Sequence, residues 1–181
     1  MNCRMRWRTA FGLAILLVLP LHSSLSAQRR PDPLNPLEID QLRDAMLDPD
    51  ERLKLYVKFS RDRMTKLEQM RSDPKTKERG LQTRDLLQDF LTIYDELDNN
   101  IDMYFGRKND IRRPLKLIIE ADTEFQSKLR ALKNSANPDP AEAKQYEFVL
   151  TDALDTVDSS AEDHRKTLTE VEEYMRHRKT R

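Results

Sequence analysis

The sequence predicts an all-α chain: an antiparallel four-helix bundle with an additional short N-terminal helix, placed after a cleavable signal peptide. Three observations carry this expectation. Asn35-Pro36-Leu37-Glu38, Asp48-Pro49-Asp50-Glu51 and Asp139-Pro140-Ala141-Glu142 write the same helix-start signal three times. In each, Asn or Asp caps the free amides, Pro takes the first helical position where no donor is lost, and Glu is placed to return to the cap amide. Beyond residue 36 the apolar residues recur every three or four positions, which is the period of an amphipathic helix and not of a strand. Glycine is nearly missing, with only Gly80 and Gly106 beyond the first 27 residues. That scarcity excludes Gly-rich phosphate loops and nucleophile elbows.

Residues 1–27 have the three parts of a secretory signal: Arg4, Arg6 and Arg8, an apolar run from Ala10 to Leu21, and a small-residue end closing at Ala27. The run is too short for a membrane-spanning helix, which needs roughly 20 apolar residues. Cleavage is expected after Ala27 or one residue earlier, and an uncleaved signal would leave the protein tethered. Cys3 precedes the apolar run instead of following it, so it is not placed as a lipid anchor. Residues 28–36, with Pro31 and Pro33, read as an extended leader with nothing to bury. Residues 37–181 read as a single helical-bundle domain.

Within that domain the first helix is expected from Pro36 to Leu47, with Ile39, Leu42 and Met46 on one face. The second runs from Pro49 to Met70 along Leu53, Val57, Ser60, Met64 and Leu67, widened by Tyr56 and Phe59. After a polar loop at Ser72-Asp73-Pro74, the third is expected from Lys75 or Thr76 to Phe105, with Gly106 as its C-terminal cap. Leu87, Phe90, Tyr94, Leu97, Ile101 and Tyr104 fall on it at spacings of three and four, a heptad seam. The fourth, from Asp110 to Lys133, repeats the pattern with Ile111, Leu115, Ile118, Asp122, Phe125, Leu129 and Leu132. Pro114 lies near its first turn. The fifth, from Pro140 to Arg176, carries Tyr146, Leu150, Ala153, Val157, Ala161, His164, Leu168, Val171 and Met175 on one side. Short linkers and single apolar faces predict that consecutive helices pack antiparallel, with the first helix folded across one end as a lid.

Composition narrows the function classes. The first 27 residues take three of the 32 basic side chains and none of the 32 acidic ones, leaving 29 against 32. A near-neutral balance lacks the basic excess of a nucleic-acid partner. Cys3 and Trp7 also lie in the signal, so the processed chain has no cysteine for disulfides or thiolate chemistry. Glu-x-x-His, the pair that carboxylate-bridged metal sites draw from bundle helices, does not occur. No catalytic, cofactor-binding or metal-ligating constellation is expected. The closing run from Arg176 to Arg181 suits a helix C-terminus, and a membrane surface is the alternative partner for it.

One residue stands out. Asp122 occupies a seam position between Ile118 and Phe125, where an unpaired charge would cost several kcal/mol. It needs a partner, and His164 sits at the corresponding position of the fifth helix. Ser60 and Arg63 lie near the seam of the second. Asp122 and His164 are therefore the candidate buried polar contact. It acts either as a structural contact that fixes helix register or as part of a small polar pocket for a ligand or ion. A purely structural contact would be expected to tolerate Asp122→Leu.

The stretch from Leu37 to Ala45, followed by Pro49 to Tyr56 and more loosely by Tyr94-Asp95-Glu96-Leu97, resembles a group of short exported bacterial proteins of unassigned function. The resemblance implies export and a helical fold and carries no active site. The expectation is an exported, non-enzymatic protein, periplasmic or secreted, acting through an unknown protein partner or self-association. The alternative is a small-molecule or metal-binding bundle using the buried acid near Asp122.

Overall fold

The computed structural model describes residues 30–135 and 139–179. The expected signal peptide, the start of the leader, residues 136–138 and the last two residues of the closing basic run lie outside the described residues. The residues from Asp32 onward form one compact unit. Its described secondary structure is all α: α1 (Pro36–Asp44), α2 (Pro49–Ser72), α3 (Arg79–Gly106), α4 (Arg112–Lys133) and α5 (Pro140–Lys179).

The helix starts follow from their caps. At α1 the box is complete: the Glu38 amide donates to Asn35 Oδ1 at 3.0 Å and the Asn35 amide to Glu38 Oε2 at 2.9 Å. Asp48 accepts from the amides of Asp50 and Glu51, and Asp139 from that of Ala141. Glu142, expected to return to its own cap, reaches the guanidinium of Arg71 at 3.1 Å. A charged partner brought by α2 outcompetes a neutral amide, because charge-assisted bonds are roughly twice as strong.

α3 starts at Arg79, later than expected. Asp73 accepts from the Lys75 amide through its side chain and from the Thr76 amide through its carbonyl, a local turn that competes with helix. Glu78 then stands at the N-cap position of α3 in the left-handed region at φ 50°, with no side-chain bond to the helix start. At the other end Gly106 remains helical, contrary to the expected glycine cap. The left-handed position belongs to Lys108 at φ 61°. The amides of Lys108 and Asn109 donate back to Phe105 and Tyr104, the two reverse bonds of a Schellman motif. The Lys108 ammonium lies 4.9 Å over the Phe105 ring and 5.7 Å from that of Tyr174, contacts that offset the cost of a side chain at that φ.

α2 packs against α3 and α4, and α5 packs against the same two helices. Arg52–Asn100 and Arg71–Thr83 set α2 and α3 in opposite directions. Asp122–His164 and Arg130–Asp158 do the same for α4 and α5. Arg61–Glu124 and Glu68–Lys128 show α2 and α4 running in the same direction. α3 and α5 also run in the same direction. Gly80 lies so close to α5 that a Cβ there would stand 2.8 Å from the Glu142 carbonyl oxygen.

The sequence expectation of side-by-side packing therefore holds for α2 with α3 and α4 with α5. It fails for α3 and α4, whose backbones are not adjacent among the described residues and which meet through long side chains across the interior. The link from Arg107 to Ile111 can span at most roughly 17 Å. Helix axes 8–10 Å apart give a diagonal of only roughly 14 Å, so five residues suffice to cross it. Large rings then fill the interior: Phe90 meets Phe125 edge-on at 5.2 Å and stacks on Tyr94 at 5.5 Å.

Among the described helices α1 packs on α2 alone and does not close an end as a lid. It ends at Asp44, leaving Met46 exposed, and lies back along α2. Arg52 donates to the Leu42 carbonyl. Arg63 grips both Glu38 oxygens and the Pro33 carbonyl. The leader does bury something, since Leu34 packs against the core.

Candidate functional site

Asp122 and His164 lie at mid-length of α4 and α5 because each takes the place of an apolar residue in its helix's seam. The structure sets them face to face. His164 Nδ1 is 2.9 Å from Asp122 Oδ2, and the Tyr94 hydroxyl donates to Asp122 Oδ1 at 2.7 Å. On the far side of the ring, His164 Nε2 is 2.9 Å from Asp98 Oδ1, and the Ser160 hydroxyl donates to Asp98 Oδ2 at 2.6 Å. The chain of contacts runs Tyr94–Asp122–His164–Asp98–Ser160 and ties α3, α4 and α5 together. Asp122 is wholly buried and His164 nearly so, whereas the Asp98 side chain is 30% exposed.

Protonation follows from this geometry. A carboxylate only accepts, so two carboxylates at the two ring nitrogens require both nitrogens to donate. Burial pushes the imidazole down. Hydrogen bonds and charge from Asp122 and Asp98 more than offset this and hold His164 up at about 9. Burial and then the Asp122 charge push the Tyr94 phenol well above its ordinary value, so it stays a donor.

Sequence reasoning placed Asp122 and His164 on the seam and missed Tyr94, Asp98 and Ser160 as their partners. A signal existed. Tyr94 and Asp98 are one turn apart on α3, as Ser160 and His164 are on α5, so each helix offers two polar groups on adjoining faces. The other two residues considered near the seam do not join the cluster. Ser60 is fully buried with its hydroxyl unpartnered, and Arg63 is committed to Glu38.

The cluster joins helices and does not resemble a hydrolytic site. An imidazolium is no general base, and Ser160 donates to Asp98 instead of to the imidazole, so nucleophile and base are not adjacent. Among the described residues, no group of three or more acids and histidines is arranged to hold a metal ion. A cleft of about 730 Å³ lies elsewhere, lined by Asp50, Lys54, Arg112, Arg113, Lys116 and Glu172. From Arg112 to Asp122 is roughly 15 Å along α4. In that cleft Lys54 pairs with Asp50, and Lys116 with Glu172.

Among the described residues, no helix is long and apolar enough to cross a membrane. No family model matches this chain, and comparison with curated proteins and with solved structures likewise finds no match.

Proposed function

We propose that this chain is an exported, non-enzymatic helical protein that acts through protein–protein contact in the cell envelope or outside the cell, by self-association or by binding another envelope component. The observation that supports it is the surface of α1 and the turn after it. Leu37, Met46 and Leu47 are 74%, 60% and 90% exposed within eleven residues. Isolated exposed apolar residues are ordinary, whereas several large ones on one short segment favour a contact surface. The buried polar cluster supports the same reading from the other side, because each of its groups is used to join helices.

In this reading residues 1–27 are removed on export, the protein is periplasmic or secreted, and α2 to α5 form a four-helix bundle whose consecutive helices run in opposite directions. α1 is the additional short helix. A ligand or metal at Asp122, the alternative, would have to displace Tyr94 or His164.

Light scattering on residues 28–181, which contain the entire described core, tests self-association. A concentration-dependent dimer that is lost in Leu37→Ser/Leu47→Ser supports it. A monomer at every concentration removes the self-association branch. Mass spectrometry of the N-terminus of the protein recovered from its native compartment tests processing after Ala27.

A further inference from the structure

We propose that Asp122, His164 and Asp98 form a proton-operated latch: the doubly protonated imidazole holds α5 against α3 and α4, and loss of one proton releases α5 from α3 along the Asp98–Ser160 side. The argument rests on valence. A neutral imidazole has one N–H, so it can satisfy one carboxylate and must turn a lone pair on the other. Both ring nitrogens stand 2.9 Å from carboxylate oxygens. At that distance a lone pair facing a carboxylate is repulsive, unscreened toward the buried Asp122 and partly relieved by water toward Asp98.

The two sides of the ring are not equivalent. Asp122 is buried and also accepts from Tyr94, while Asp98 is partly open to water and held by the hydroxyl of Ser160. Water therefore reaches the Nε2 proton through Asp98, and the proton leaves to hydroxide by that route. Nδ1–H stays on Asp122. The groups facing the ring are Asp98 and Tyr94 from α3 (the Tyr94 ring centroid is 6.3 Å away) and Asp122 from α4, with Ser160 one turn before it on α5. The α2 and α5 backbones are not adjacent, and the α2 charge that reaches α5, Arg71, pairs with Glu142 near the start of α5. Two carboxylates and a phenol remain around a neutral ring, so the released contact is Asp98 with α5, and the α4–α5 contact persists.

The first measurements use residues 28–181 without substitution. Nitrogen-15 NMR of the ring should show His164 protonated at both nitrogens at neutral pH, with a titration midpoint of about 9. Hydrogen exchange corrected for intrinsic rates should then accelerate by about tenfold in residues 157–164 across that midpoint, with less than about twofold change in residues 115–125. Asp98→Asn, at a position 30% exposed, should lower the midpoint by about one unit or more and move the exchange onset with it. A single neutral tautomer at neutral pH would overturn the latch. So would exchange that is indifferent to the titration, loss of protection in all helices together, or a midpoint unmoved by Asp98→Asn.

Discussion

Asp122→Leu is the substitution on which the buried cluster can be weighed. It removes the acceptor for two buried donors at once, the Tyr94 hydroxyl at 2.7 Å and His164 Nδ1 at 2.9 Å. Removing one member of a buried ion pair costs about 3–5 kcal/mol, and a stranded buried hydroxyl about 1–3 kcal/mol. Two effects reduce this. Leucine returns about 1.5–3 kcal/mol of apolar burial, and His164 can shed a proton while keeping Nε2–H on Asp98. The single variant should therefore lose about 3 kcal/mol in urea unfolding followed by circular dichroism. This reverses the simple expectation that a structural acid tolerates an apolar replacement, because the acid has two partners and not one. Replacing all three groups, as in Asp122→Leu/His164→Leu/Tyr94→Phe, strands no donor in the interior and should return stability to within about 1–2 kcal/mol of the parent. A single variant as stable as the parent would refute the reasoning. So would a triple variant at least as unstable as the sum of the three single ones.

Further substitutions test individual features. Gly80→Ala forces a methyl against both the Gln145 side chain and the Glu142 carbonyl and should cost about 1–3 kcal/mol, without full rescue by Gln145→Ala, since the backbone carbonyl 2.8 Å away still obstructs. Glu78→Gly relieves the left-handed φ of 50° and should raise stability by about 0.5–1 kcal/mol, read as a higher urea midpoint. Asn35→Ala removes half of the capping box and should cost about 1 kcal/mol. Because α1 packs on α2 alone, the effect should appear as faster hydrogen exchange in residues 38–44 more than as a lower global midpoint. Glu38→Gln tests the acid arm. Burial raises this carboxyl, but Arg63 and the Asn35 amide together hold it below its ordinary value of 4.5. A depressed folded pKa contributes stability that is present above the unfolded value and lost as pH falls through the folded one. As pH falls from neutral through the folded pKa, the parent should lose more stability than Glu38→Gln does, read from urea midpoints at successive pH values.

The candidate site was half legible. Asp122 and His164 could be read from seam position, because a charge in an apolar stripe is an anomaly that one helix shows by itself. Asp98 and Ser160 could not be read that way, and offered only their one-turn spacing from Tyr94 and His164. Each lies beside its seam, where acids and serines on solvated faces are common, and only the neighbouring helix distinguishes a paired acid from a solvated one. The Arg63–Glu38 pair was hidden for a different reason: Glu38 already had a role in the α1 capping box, and nothing local pointed Arg63, near the α2 seam, toward it.

What the sequence determined by itself is local: five helical segments, the caps at Asn35, Asp48 and Asp139, the apolar face of each helix, and the presence of an acid within one of them. These follow from backbone geometry and from periodicity, which act over four or five residues. Only the tertiary structure decided which faces meet. It placed α3 diagonal to α4, laid α1 along α2, brought Glu142 to Arg71, and closed two carboxylates on the two nitrogens of His164. Helix stripes are chemically alike, so their pairing depends on how volumes fill a shared interior. Gly80 against α5, and the rings of Phe90, Tyr94 and Phe125 between α3 and α4, are settled only when all the helices pack at once.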